Sequence, residues 1–205
     1  MLEENLEIIF AWIGRNDSRA HILFQKGIER NSASKHIDSL PFSLAEEIYK
    51  LYGCRNGMSP GSFESFPFLG MDFYSLDNAV QAYFELIKEV ESGTIEDFHE
   101  NLFPIFRLYD DGYFFTLGRS EPDEESPIFC YDFGNWDNLR PVLMYESLGK
   151  MIQTLAECCE HNIYSLSFNE YGCELECDED EFEAIRIRNN PTIQLPNSIT
   201  PTDIL

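Results

Sequence analysis

The side chains able to do chemistry here are six cysteines, four histidines and a large excess of carboxylates. Cys158, Cys159 and His161 fall close together and invite a metal site. Zinc wants tetrahedral spacing, which two adjacent cysteines on one helix supply poorly, so a surface histidine at a helix end is the reading adopted. Cys173 and Cys177, in "CELEC", could share one face of a strand as a redox pair, but the spacing is not C-x-x-C. Cys54 and Cys130 sit among apolar or turn residues and read as small fillers. The run "ELECDEDEFE", residues 174 to 183, holds seven carboxylates in ten positions but no glycine. A calcium loop needs a central glycine, which leaves at most a weak, non-specific cation site. His21, His36 and His99 are scattered. No phosphate-binding loop, dinucleotide fingerprint or nucleophile elbow occurs, and the serines lie mostly at caps and turns. The expectation is a protein with no catalytic residues, no cofactor and no metal, hence not an enzyme.

What the carboxylates do offer is a field. Fourteen Lys and Arg face 37 Asp and Glu, a formal net charge of -23. The first fifty residues hold six basic and eight acidic side chains, so nearly all the excess lies beyond Lys50. Such a field repels nucleic acid and anionic lipid and speeds encounter with a basic partner, although acidic surfaces also serve solubility alone. Basic residues do not cluster with aromatics, which counts against nucleic-acid binding, while mimicry of DNA by spaced carboxylates stays open. No apolar window is long enough for a membrane-spanning helix, and "MLEENLEIIFAW" lacks a basic region followed by a cleavage site. A cytoplasmic protein with reduced thiols is expected.

Several elements must position these groups. In "LPFSLAEEIYKLYGCRNG", Ser43 and Glu46 read as a capping box, Leu44, Ile48, Leu51 and Tyr52 as an apolar stripe, and Gly53 as the stop. Asn56-Gly57 and Pro60-Gly61 read as turns. A second helix opens at Ser75, with Leu76, Val80, Tyr83, Phe84, Ile87 and Val90 along one side and Gly93 at its end. A third runs from Ser147, with Leu148, Met151, Ile152, Leu155 and Cys159 facing inward. "LEENLEIIFAWIG" is a fourth, while residues 15 to 38 are polar and carry no clear period. "NLFPIFRLYDDGYFFTLG" reads as two strands, 104 to 109 and 113 to 117, about an Asp110-Asp111-Gly112 turn. "SPIFCYDFG" at 126 to 134 adds a third strand beyond the acidic loop "RSEPDEE", and "FPFLG" near 66 to 70 an edge strand. These elements predict an α+β fold, an antiparallel sheet of about four to six strands with one layer of helices packed against it, in a single domain. Residues 189 to 205 read as a flexible or peripherally docked tail.

The order of motifs resembles the SUKH superfamily, which holds fungal cell-wall regulators of the Smi/Knr type and many bacterial immunity proteins. Leu40-Pro41 leading into a helix and then Asn56-Gly57 is similar to its first signature. The hairpin of residues 101 to 118, the strand "SPIFCYDFG" and the helix from Ser147 to Cys159 follow in the family's order. Met58 stands where members often have a second glycine. The likeness covers roughly residues 38 to 160. Residues 1 to 37 would be an N-terminal helical extension and 161 to 188 an acidic C-terminal one. The resemblance implies a non-catalytic protein-binding module, of the immunity type that neutralises a cognate toxin or effector by occlusion. A regulatory or scaffolding protein that organises other cytosolic components is the alternative it carries. Either would meet a protein partner with a basic surface, and neither nucleic acid nor membrane.

The surfaces nominated for that partner are Asp110 and Asp111 at the hairpin tip, Glu121, Asp123, Glu124 and Glu125 in the next loop, and Trp136. They also include Glu176, Asp178, Asp180 and Glu181 in the acidic run. Trp136, in "FGNWDN", either anchors an interface or caps the core.

Overall fold

The computed structural model describes residues 1–17, 20–59, 68–95, 98–108, 112–132, 141–169 and 172–193. In chain order the elements are α1 (Leu2–Asn16), α2 (Ala20–Leu23), β1 (Phe24–Lys26), α3 (Arg30–Ile37), α4 (Glu46–Cys54), β2 (Arg55–Met58), β3 (Met71–Phe73) and α5 (Leu76–Glu91). There follow β4 (Leu102–Leu108), β5 (Gly112–Leu117), β6 (Ile128–Asp132), β7 (Val142–Tyr145), α6 (Leu148–Glu160), β8 (Tyr164–Asn169), β9 (Gly172–Cys177) and α7 (Glu179–Asn189). Strands β3 to β7 form one five-stranded antiparallel sheet in sequential order, and β1–β2 and β8–β9 are separate two-stranded ribbons. The fold is α+β, within the strand count expected.

Alternation explains how the sheet is buried. Phe114, Ile128 and Cys130 join the larger apolar cluster, while their neighbours Phe115, Phe129 and Tyr131 join a second one. Successive strand residues point to opposite faces, so both faces of this sheet are covered, not the single layer expected. The larger cluster takes Leu6, Ile9 and Ile13 of α1, Ile48 and Leu51 of α4, and Met151, Ile152 and Leu155 of α6. The smaller takes Leu86, Ile95 and Ile193. Pro104 sits within a central strand, where it cannot donate to the ladder. The β4–β5 register shifts between Pro104 and Phe106, which accommodates it.

Two of the serine caps form where expected. Asn78 N–H donates to Ser75 Oγ at 3.3 Å and Lys150 N–H to Ser147 Oγ at 3.2 Å. Ser43 does not cap. Helix α4 begins three residues later, at Glu46, and Ser43 instead pairs its backbone with Arg119 through bonds of 2.7 and 3.0 Å. That pairing brings the chain beside Gly118, where a Cβ would lie 2.1 Å from the Phe42 ring. Asn56-Gly57 is likewise not a free turn. It lies in β2, paired with β1, and Asn56 Oδ1 accepts the Leu76 N–H at 2.9 Å at the start of α5. Gly57 adopts φ +70°, and a Cβ there would stand 2.2 Å from Ser75 N, so only glycine allows this approach.

Other boundaries also move. The edge strand of the sheet is β3, at 71 to 73; of the stretch expected at 66 to 70, residues 66 and 67 lie outside the described residues and Phe68 makes an isolated bridge with Met71. Val142–Tyr145 adds a strand that the sequence pattern did not mark. On α5 the buried positions are Leu76, Ala79, Tyr83 and Leu86, while Phe84 is exposed. The capping assignment predicts that Ser75→Ala lowers unfolding free energy by about 1 kcal/mol, while Ser43→Ala costs less than about 0.5 kcal/mol. Equal losses for the two in urea denaturation would show the assignment to be wrong.

Candidate protein-binding surface

The loop between β5 and β6 carries Glu121, Asp123, Glu124 and Glu125, all exposed. Its side chains face water, but its backbone is tied to the fold. Glu46 N–H donates to the Asp123 carbonyl at 2.8 Å and Glu47 N–H to the Glu124 carbonyl at 3.3 Å. The first amides of a helix have no partner within it, and here an acidic loop supplies that partner to α4. Glu124 N–H also donates to Asp123 Oδ1 at 2.8 Å. At the loop's end, Ser126 bridges back to Leu117, its hydroxyl donating to the carbonyl at 2.7 Å and accepting the amide at 3.0 Å.

Glu47 is the centre of this arrangement. It is 4% exposed. Its Oε1 accepts the Ser126 and Leu148 amides, both at 2.9 Å, and its Oε2 accepts the Gly149 amide at 2.8 Å. One carboxylate on α4 therefore caps the N-terminus of α6 and fixes the end of the acidic loop. Burial pushes the Glu47 carboxyl above its ordinary range, against the pull of the three amides, and nearby Glu125 adds to the rise. Its neighbour Glu46 is more exposed and makes a two-pronged ion pair with Arg30, whose guanidinium lies 4.1 Å from the centre of the Tyr49 ring. Hydrogen bonding to Arg30 holds the Glu46 carboxyl low.

Beside Glu47 a cleft of about 250 Å³ opens between α1, α4, the loop and α6. Glu3, Glu124 and Glu125 line it together with Lys50, Lys150 and Gln153. The lining thus mixes carboxylates and ammonium groups. Both oxygens of the buried Glu47 carboxylate beside it are engaged by amides.

The second acidic group lies elsewhere. On the β8–β9 ribbon Glu176 stands opposite Ser165 and Glu174 opposite Ser167, forming one exposed face, while Leu166 and Leu175 pack on the core. Asp178 caps α7, accepting the Glu181 N–H at 3.1 Å, and Glu179, Asp180 and Glu181 occupy the first turn, where the helix dipole favours them. Glu183 pairs with Arg186. The run is thus partly structural and not one uniform solvated face. It follows the C-terminal end of α6, whereas the loop sits at the N-terminal end. Thirteen residues separate those ends, about 20 Å at 1.5 Å per residue, more than two Debye lengths at physiological salt. Asp110, Asp111 and Trp136 lie outside the described residues.

Cys158 and Cys159 are both buried in α6, and burial pushes each thiol up to about 12, so neither is a ready thiolate at neutral pH. His161 is exposed at the end of that helix, 3.8 Å from Glu157. Among the described residues no three His, Cys, Asp or Glu side chains gather as a metal site. No helix among them is long and apolar enough to cross a membrane. No protein-family model matches this chain, and no curated protein matches it in sequence.

Glu47→Ala would leave two buried amides and one part-buried amide unpaired and should cost about 3 kcal/mol or more, against about 1–3 kcal/mol for Glu47→Gln. The pH dependence has a definite sign. Because the folded carboxyl titrates above its ordinary range, the native state holds more protons than the unfolded one between the two values. Glu47's contribution is then greatest below the ordinary Glu range and is lost as pH rises through the raised value. Denaturant melts across that window should show the advantage of wild type over Glu47→Gln shrinking with increasing pH. A widening advantage would mean that the three amides outweigh burial.

Proposed function

We propose that this chain is a non-catalytic, cytoplasmic protein-binding module of the immunity type, which holds a toxin or other effector inactive by covering it. The observation that carries this reading is the loop of Glu121, Asp123, Glu124 and Glu125. Its carboxylates are exposed while its backbone is anchored to α4 and, through Glu47, to α6. A pre-ordered acidic loop meets a basic surface without first losing conformational freedom, which is how binding gains from rigidity. The net charge of -23 has the right sign to draw in such a surface from a distance. The likeness of motif order to the SUKH superfamily supports the same class, and its immunity members give the choice of inhibition over scaffolding.

The partner is sought first among the products of neighbouring genes, since an immunity protein is usually encoded beside its toxin. Co-expression should restore growth to cells making that product. An isolated gene, or one among housekeeping genes, would favour the scaffolding role.

With the partner in hand, converting Glu121, Glu124 and Glu125 to Gln and Asp123 to Asn should slow association about tenfold or more and flatten its salt dependence. Dissociation should change less. Neutralising Glu176, Asp178, Asp180 and Glu181 as Gln or Asn, which keeps an acceptor at the α7 cap, tests the second group separately. Stopped-flow rates at two salt concentrations measure both. Rates indifferent to salt and to either set would reduce these carboxylates to a solvating surface.

A further inference from the structure

The outer edge of the five-stranded sheet, at β7, is closed by side chains from the C-terminal segment. Met144 is the extra residue where the β6–β7 register shifts, between Leu143 opposite Phe129 and Tyr145 opposite Ile128, and Glu146 is the bend just past the strand. The Met144 carbonyl accepts from Arg186 Nη1 at 3.1 Å, and the Glu146 amide donates to Asn190 Oδ1 at 3.0 Å. These are groups that a sixth strand would engage.

The segment is itself held in place. Arg186 is 1% exposed and donates from Nε and Nη2 to the two Glu183 oxygens at 2.8 and 2.6 Å. Asn190 Nδ2 donates to the Arg186 carbonyl at 2.8 Å, and the Thr192 amide and hydroxyl both donate to Glu146 Oε1, at 2.7 and 2.6 Å. Ile193 is 3% exposed and packs in the same cluster as Leu143. A buried guanidinium is costly unless it is paired. An apolar side chain would have docked α7 as well, but it could not have bonded to the strand edge.

Unprotected, this edge would be a hazard. Apart from the register shift at Met144, "VLMY" carries nothing to blunt an edge, having no charge, no proline and no glycine, and antiparallel edges of that kind pair with one another. The opposite edge is guarded differently: β3 is only three residues long and carries the half-buried Asp72. We propose that Arg186–Ile193 is a strand surrogate, which keeps β7 from pairing antiparallel with β7 of a second copy of this chain. A two-fold axis through that edge would set each copy's free carbonyls against the other's free amides, the self-complementary arrangement of a symmetric dimer. The net charge of -23 is a further guard, effective only while salt leaves it unscreened.

The test uses the full chain carrying Arg186→Met and Asn190→Ala in 1 M salt, where the Debye length is about 3 Å. Sedimentation velocity is read over a range of concentrations, together with amide exchange in β5 and β6. Wild type should stay monomeric. The variant should dimerise at least tenfold more tightly, keep its β5 and β6 amides protected, and gain protection at Met144 and Glu146 as concentration rises. If the double variant does not fold, Asn190→Ala with Thr192→Ala leaves Arg186 in place and is read the same way. A folded variant that stays monomeric would overturn the proposal. So would association accompanied by loss of β5–β6 protection, or a wild type that dimerises equally well.

Discussion

One buried carboxylate organises the end of the molecule where binding is proposed. Glu47 accepts amides from the close of the acidic loop and from the first turn of α6. Hydrogen bonds to a charged acceptor contribute about 1.5–3 kcal/mol each, but burying the charge costs several kcal/mol, so the net gain is modest. The one-sided loss is not modest, because removing the carboxylate leaves two buried donors and one part-buried donor without a partner. Conformational specificity is what the arrangement supplies. The start of α4, the loop and the start of α6 are tied to one another through these bonds.

That placement bears on function through rigidity and charge. The loop's carbonyls cap the start of α4 while its carboxylates are exposed, so the same residues complete the fold and present the field. On the β8–β9 ribbon and α7 the division of labour differs. Asp178 and Glu183 serve helix α7 internally, and Glu174 and Glu176 form an exposed face beside two serines. Two acidic groups at opposite ends of one helix, screened from each other by salt, can contact a large basic surface at separate points without pooling their potential. The C-terminal segment beyond them is tied down by side-chain bonds to the backbone of β7.

Much of this was legible in the sequence wherever the signal was local. Ser75 and Ser147 mark real caps, the apolar stripe of α6 is buried as its period predicts, and the aromatic runs flanking residues 109–111 are adjacent strands. Misreadings arose where a distant partner decided the outcome. Ser43 followed by Glu46 has the spacing of a capping box, yet pairing with Arg119 holds Ser43 extended and the loop caps α4 instead. Asn56-Gly57 has turn chemistry, but the approach of α5 uses its positive φ within a strand. Nothing near Glu47 distinguishes it from Glu46, since its partners lie 79 to 102 residues away. Arg186 was equally silent: an acidic helix with arginines in its last turn looks solvated until β7 packs against it.

Amide hydrogen exchange at Ser126, Leu148 and Gly149 under native conditions tests most directly whether Glu47 fixes the loop and α6 to one frame. All three amides should exchange only through global unfolding, with the protection of Phe115 and Phe129 in the central strands, while the amide of Glu121 exchanges fast. Protection at Ser126 as weak as at Glu121, with the sheet amides still closed, would contradict the account, because the acidic loop would then be opening independently of the fold.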